Sequence, residues 1–123
     1  MKILILEDEK SVSSAIRFSL QKKGHTVVEI QNPIDALSRI EEEKFEFLIL
    51  DYNLYLLSGF DFLKLFRIND HLTPVVIITS NEIESMNNLN YLEENSCKII
   101  SKDKPINEII SNIEIALKNK NYN

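Results

Sequence analysis

The chain has 123 residues, 44% hydrophobic and 27% charged, which fits one domain with a single buried core. Its formal charge of -5 argues against a nucleic-acid surface, because phosphate binding needs clustered Lys and Arg. A lone cysteine, Cys97, excludes an internal disulfide and suits a reducing compartment. No apolar run reads as a signal peptide or approaches a membrane span of about 18 residues, so the expected setting is cytoplasmic, with no membrane partner.

Residues 2 to 7 form a continuous aliphatic run, as strands covered on both faces do. Glu7, Asp8 and Glu9 end it. Val12, Ala15, Ile16 and Leu20 then recur at helical spacing up to Gly24, a C-terminal stop. Thr26 to Ile30 reads as a second strand. Asn32 and Pro33 are a helix cap and first helical residue, and Ile34, Leu37 and Ile40 are expected to face inward. Phe47 to Leu50 is the third strand, with a loop from Asp51 to Ser58. Gly59 opens a helix with Phe62, Leu63 and Phe66 on one face.

Pro74 to Thr79 is the fourth strand. Residues 82 to 93 read as a weakly apolar helix carrying Ile83, Met86 and Leu89, capped by Asn81 with Glu84 reaching back. Cys97 to Ser101 is the fifth strand, with Cys97 expected to be buried. After Pro105, Ile106, Ile109, Ile110, Ile113 and Leu117 make the best amphipathic stripe in the chain. The reading is a domain over 1–119 and a polar tail over 120–123, expected to fray.

The order is βα repeated five times, an α/β pattern that predicts a parallel sheet with right-handed crossovers and helices on both faces. With only Gly24 and Gly59 in the chain, there is no Gly-rich phosphate loop. The strand C-termini gather on one edge, where ligands of such sheets bind. That edge collects Glu7 and Asp8, Asp51, Thr79, and Lys102. Crowded carboxylates need a compensating cation, and an oxygen-seeking ion such as Mg2+ suits them. A hydroxyl and an ammonium beside a carboxylate–metal site fit the oxygens of a phosphoryl group. Asp51 would then be a nucleophile that forms an acyl phosphate. Alone it would read as a turn cap; the other strand ends argue otherwise.

Glu7-Asp8 after the first strand, Asp51 after Leu48-Ile49-Leu50, Gly59, Thr79 after the fourth strand and Lys102 after Ile99-Ile100-Ser101 stand in order. On these residues the chain resembles the receiver domain of bacterial two-component response regulators, over nearly its whole length. The resemblance implies a flavodoxin-like three-layer sandwich with strand order 2-1-3-4-5. It implies that Asp51 is the phosphoacceptor and that Asp8 and Asp51 bind Mg2+ or Mn2+. The Asn53 backbone carbonyl would complete the ligand set, with Glu7 acting through water. Thr79 would be the switch hydroxyl and Lys102 the phosphate-pairing lysine. The implied partner is a sensor histidine kinase or phosphotransfer protein, and homodimerisation through the fourth and fifth helices is open. No enzymatic turnover is expected beyond slow self-dephosphorylation, whose rate the Asn53 and Asn81 side chains are expected to tune.

The sequence also departs from the family. Leu54-Tyr55 replace the usual Met-Pro, which leaves Tyr55 free to cover the site. Asp103 stands where a proline is common, and Ile99 replaces the usual switch aromatic. Tyr55, Ile99 and the missing Met-Pro slightly favour a rival reading as a pseudo-receiver, an interaction module not regulated by phosphorylation. The intact Glu7, Asp8, Asp51, Thr79 and Lys102 oppose it, and Asp103 bears on neither. A flavodoxin-like electron carrier is disfavoured, because Glu7-Asp8-Glu9 would repel a flavin phosphate.

Overall fold

The aliphatic runs become strands in a computed structural model that describes residues 1–96 and 98–119. The expectations for Cys97 and for the tail 120–123 lie outside the described residues. The elements alternate: β1 (Lys2–Leu6), α1 (Lys10–Lys22), β2 (Thr26–Ile30), α2 (Pro33–Glu42), β3 (Phe47–Asp51), α3 (Gly59–Asn69), β4 (Val75–Thr79), α4 (Leu89–Asn95), β5 (Lys98–Ser101) and α5 (Ile106–Lys118). The sheet is parallel throughout with order β2-β1-β3-β4-β5, the flavodoxin-like arrangement.

Two-residue periodicity divides each strand between two cores. Ile3, Ile5, Phe47, Ile49, Val76 and Ile78 meet Ile16 and Leu20 of α1 and Ile109, Ile113 and Leu117 of α5. Leu4, Leu6, Leu48, Leu50 and Ile77 meet Ala36 of α2, Phe62, Leu63 and Phe66 of α3, and Leu92 of α4. Both faces of the central strands are covered, so their sequences are uniformly apolar.

Local chemistry sets the helix ends. Asn32 Oδ1 accepts from the Ile34 amide at 2.8 Å, with Pro33 at the first helical position. Ser58 Oγ accepts from the Asp61 amide at 3.1 Å and caps α3. Gly24 follows α1 at φ +94°, a conformation that costs glycine little. Glu29 of β2 ties α1 to the sheet: Ser13 and Ser14 hydroxyls and Arg17 Nε donate to its carboxylate at 2.5, 3.1 and 2.6 Å. Burial alone would raise the Glu29 pKa, but the Ser13 hydroxyl, Arg17 and Ser14 outweigh it and hold it at about 2.

Three expectations need correction. Ile34 points outward, 54% exposed, because Pro33 and Ala36 take the buried face of α2. Ile106 stays 40% exposed, and Ala116 joins the core instead. The expected helix over 82–93 is broken. Ile83–Ser85 forms a single 3-10 turn, and Asn88, at φ 65°, precedes a short α4. Asn81 does not cap it, because its side chain is engaged by Asn53. Asn87-Asn88 tolerates the left-handed turn that interrupts the helix.

Candidate functional site

The parallel ladder runs one step past the strand ends and fixes the backbone there. The Glu7 amide donates to Ile30 O at 3.2 Å, Tyr52 to Ile78 O at 2.8 Å and Lys102 to Thr79 O at 2.7 Å. Asp51 is itself the last strand residue and fully buried, not the first of the loop. Gly59 lets α3 start against it: an ideal Cβ there would lie 2.5 Å from Asp51 O and 2.6 Å from Tyr52 Cα.

This edge brings together Glu7, Asp8 and Asp51, whose carboxylate oxygens lie within 4.8 Å of one another. Glu7 and Asp51 are buried and Asp8 is exposed. Lys102 Nζ stands 3.0 Å from Glu7 Oε1, 3.5 Å from Asp51 Oδ2 and 3.4 Å from Glu9 Oε1. Glu7 Oε1 nonetheless accepts no directed hydrogen bond, so Lys102 is its ion partner only. Burial first, then the neighbouring Asp51, pushes the Glu7 carboxyl up to about 8, against the pull of the Glu9 amide and Lys102. Burial would lower Lys102, but Glu7 and Asp51 more than offset it and raise the ammonium pKa. A pair of buried carboxylates with one under-satisfied oxygen and a single ammonium fits a hard divalent cation bound by oxygen ligands.

Thr79, also fully buried, faces the same edge but reaches the β3–α3 loop rather than Asp51. Its Oγ1 donates to Asn53 Oδ1 at 3.2 Å. The Asn53 amide donates to Asp51 Oδ1 at 3.0 Å, an Asx turn that orients the carboxylate. The Asn53 side chain, expected only to tune phosphate lifetime, bridges the two loops, and Glu9 joins Lys102. Neither contact has a local sequence signal, because each joins loops far apart in the chain.

Tyr55 does not cover the site; it is 77% exposed. Leu56 adopts φ 73° and the Leu57 amide donates to Tyr55 O at 2.9 Å, which turns Leu54 and Leu57 into the core and leaves Tyr55 outside. Ile99 is half-buried against the α3–α4 side of the sheet. A groove of 730 Å³ between the ends of α2 and α3 holds none of these residues.

The sequence matches the response regulator receiver domain family over residues 3–114. The chain belongs to this family. It is 28% identical over 116 residues to a transcriptional regulatory protein of Bacillus subtilis, YkoG, covering 94% of this chain and 50% of that protein. It is 33% identical over 82 residues to the response regulator protein PmrA of Pseudomonas aeruginosa, covering 67% and 37%. The chain thus spans about half or less of the length of the curated relatives it matches. A two-component response regulator from Clostridium difficile shares the fold with a TM-score of 0.81 and 24% identity, covering 99% of each chain. A Thermotoga maritima regulator, TrrA, solved with Mg2+-BeF, has a TM-score of 0.77 at 17% identity, covering 93% and 96%. Receiver domains are signalling domains that bind Mg2+ through an acidic cluster, and Glu7, Asp8 and Asp51 make such a cluster here. Among the described residues no helix is long and apolar enough to cross a membrane.

Proposed function

We propose that this receiver domain is a phosphorylation-dependent switch, in which Asp51 accepts a phosphoryl group from a sensor histidine kinase or phosphotransfer protein. The observation that carries this reading is the convergence of Glu7, Asp8 and Asp51 oxygens within 4.8 Å, beside the Lys102 ammonium. An Asp51 oxygen forms the new O–P bond as the N–P bond of the donor phosphohistidine breaks. The imidazole, protonated on its second nitrogen, leaves neutral.

Asp8, Asp51 and the Asn53 carbonyl would hold Mg2+ or Mn2+, with Glu7 acting through water. When bound, such a cation would neutralise charge on the phosphoryl oxygens. Lys102 pairs with a phosphoryl oxygen, and the Thr79 hydroxyl donates to another. Movement of Thr79 biases the loop after β4 and the short α4 between two arrangements. No catalytic turnover is assigned, and the net charge of -5 speaks against nucleic-acid contact through this domain. The domain occupies residues 1–119 in this reading.

Incubation with acetyl phosphate and Mg2+ tests it. Wild type gains one base- and hydroxylamine-labile phosphoryl group by intact mass, and Asp51→Asn gains none. Equal labelling of Asp51→Asn removes Asp51 as acceptor, and no labelling of wild type supports the pseudo-receiver.

A further inference from the structure

The hydroxyl assigned above to the phosphoryl group is already engaged. The Asn81 amide donates to Thr79 Oγ1 at 3.0 Å, so that oxygen is an acceptor. Its own hydrogen points to Asn53 Oδ1 at 3.2 Å. The orientation of the Asn53 amide is fixed independently. The Ser80 backbone amide, which can only donate, lies 3.0 Å from Asn53 Oδ1, so this atom must be the oxygen. Asn53 Nδ2 then faces Asn81 Oδ1 at 2.6 Å, as a donor should.

Asn53 Oδ1 therefore accepts from three groups: Ser80 N at 3.0 Å, Ser80 Oγ at 3.1 Å and Thr79 Oγ1 at 3.2 Å. An amide oxygen has two lone pairs, so three donors oversubscribe it. The Thr79 bond is the longest of the three, and its loss leaves the oxygen satisfied. The Thr79 backbone is meanwhile pinned, with its carbonyl accepting from Lys102 N at 2.7 Å. Only side-chain rotation is left to it.

We propose that the Asn53 side chain is a latch on Thr79: it keeps the hydroxyl proton on Asn53 Oδ1, away from Asp51, and releases it when a phosphoryl oxygen competes for that donor. Asn53 is a positioning residue here, acting through Thr79. The proposal rests on the phosphoryl reading of the site, and adds a residue that sets the threshold of the switch. The latch is weak by construction, since the remaining donors hold Asn53 Oδ1 after Thr79 leaves.

The test compares wild type with Asn53→Ala and Asn81→Ala. Asn81→Ala removes the partner of Asn53 Nδ2 but leaves Asn53 Oδ1 in place. Two readouts are used: the Thr79 methyl carbon shift, which reports its rotamer, and the affinity for beryllofluoride with Mg2+, a phosphoryl mimic. In Asn53→Ala without any phosphoryl mimic, the Thr79 methyl moves toward its position in beryllofluoride-bound wild type. Beryllofluoride binds Asn53→Ala about twofold more tightly, the low end of the worth of one neutral hydrogen bond. Asn81→Ala stays near wild type in both. A purely structural role would lower stability without tightening binding. An unmoved Thr79 methyl in Asn53→Ala, or binding no tighter than wild type, overturns the latch. If wild type binds no beryllofluoride, the phosphoryl reading falls, while the Thr79 methyl still decides whether Asn53 holds the hydroxyl.

Discussion

An alanine methyl at Gly59 would lie 2.5 Å from the carbonyl oxygen of Asp51. Both the oxygen and Tyr52 Cα, 2.6 Å away, are backbone atoms and cannot swing aside. The Gly59 amide also donates to Tyr52 O at 2.9 Å, so α3 and the end of β3 are held together at this point. Gly59→Ala must push α3 off the strand that carries Asp51. The expected cost is about 2 kcal/mol of overpacking, or roughly 8 °C in melting temperature. Calorimetry checks it; a melting point unchanged from wild type would mean the β3 backbone yields freely.

The sheet was legible because its strands are buried on both faces, and a continuous aliphatic run such as Val75 to Ile78 admits few other readings. The strand-end carboxylates were legible because parallel strands bring their ends to one edge. Asn32-Pro33 announced α2 through backbone chemistry alone. The segment after β4 was not legible. Its helix is interrupted by the left-handed Asn88, and its supposed cap, Asn81, is drawn away by a residue in another loop. Tyr55 misled for a related reason: whether a loop side chain covers a site depends on a turn at Leu56, a residue with no preference for φ 73°.

Glu7, Asp8 and Asp51 bring their carboxyl oxygens around one point, so a divalent cation should stabilise the folded state over the unfolded one. At a free Mg2+ concentration about tenfold above its dissociation constant, the gain is about 1.4 kcal/mol. Wild type should melt roughly 5 °C higher under that condition. Asp8→Asn removes an exposed carboxylate of the cluster without opening the core, so its fold should persist while the Mg2+ shift vanishes. A shift of equal size in Asp8→Asn would place the ion elsewhere.

Glu29 makes stability depend on acid. Its folded pKa, about 2, lies below the ordinary 4.5, because the Ser13 hydroxyl, Arg17 and Ser14 outweigh burial. The charged form is thus favoured by folding. Its contribution is fully present above pH 4.5 and is lost as pH falls through 2. The displacement corresponds to at most about 3 kcal/mol. Lys10, whose Nζ lies 3.5 Å from Glu29 Oε1, is well exposed and Arg17 partly so, which brings the expected value nearer ~2 kcal/mol. Urea unfolding between pH 5 and pH 2 should show Glu29→Gln less stable than wild type at pH 5, with the gap closing toward pH 2. A gap that stays constant would mean the ion pair is not what Glu29 contributes.

The short α4 should be held by packing rather than by its own helical tendency. It has seven residues, no side-chain cap at Asn88 and no acidic residue in its first turn. An isolated helix of this length does not persist in water. Three contacts replace what it lacks. Leu92 is fully buried against the α3 side of the sheet. Tyr91 meets Phe60 of α3 edge-on, with ring centroids 5.3 Å apart. Arg67 of α3 donates to the Asn95 carbonyl at 2.8 and 3.2 Å and closes the C-terminal end. Leu92→Ala removes the first of these, a truncation worth about 3 kcal/mol in a rigid core. Because α4 has so little else, the loss should be local: amides of residues 89–95 exchange faster, while those of β1 and β3 keep their protection. Leu63→Ala, buried in the longer α3, should instead lower protection throughout. Amide exchange by mass spectrometry separates the two outcomes. Uniform loss in Leu92→Ala would make α4 part of the global core, and would count against it as the element a phosphoryl group displaces.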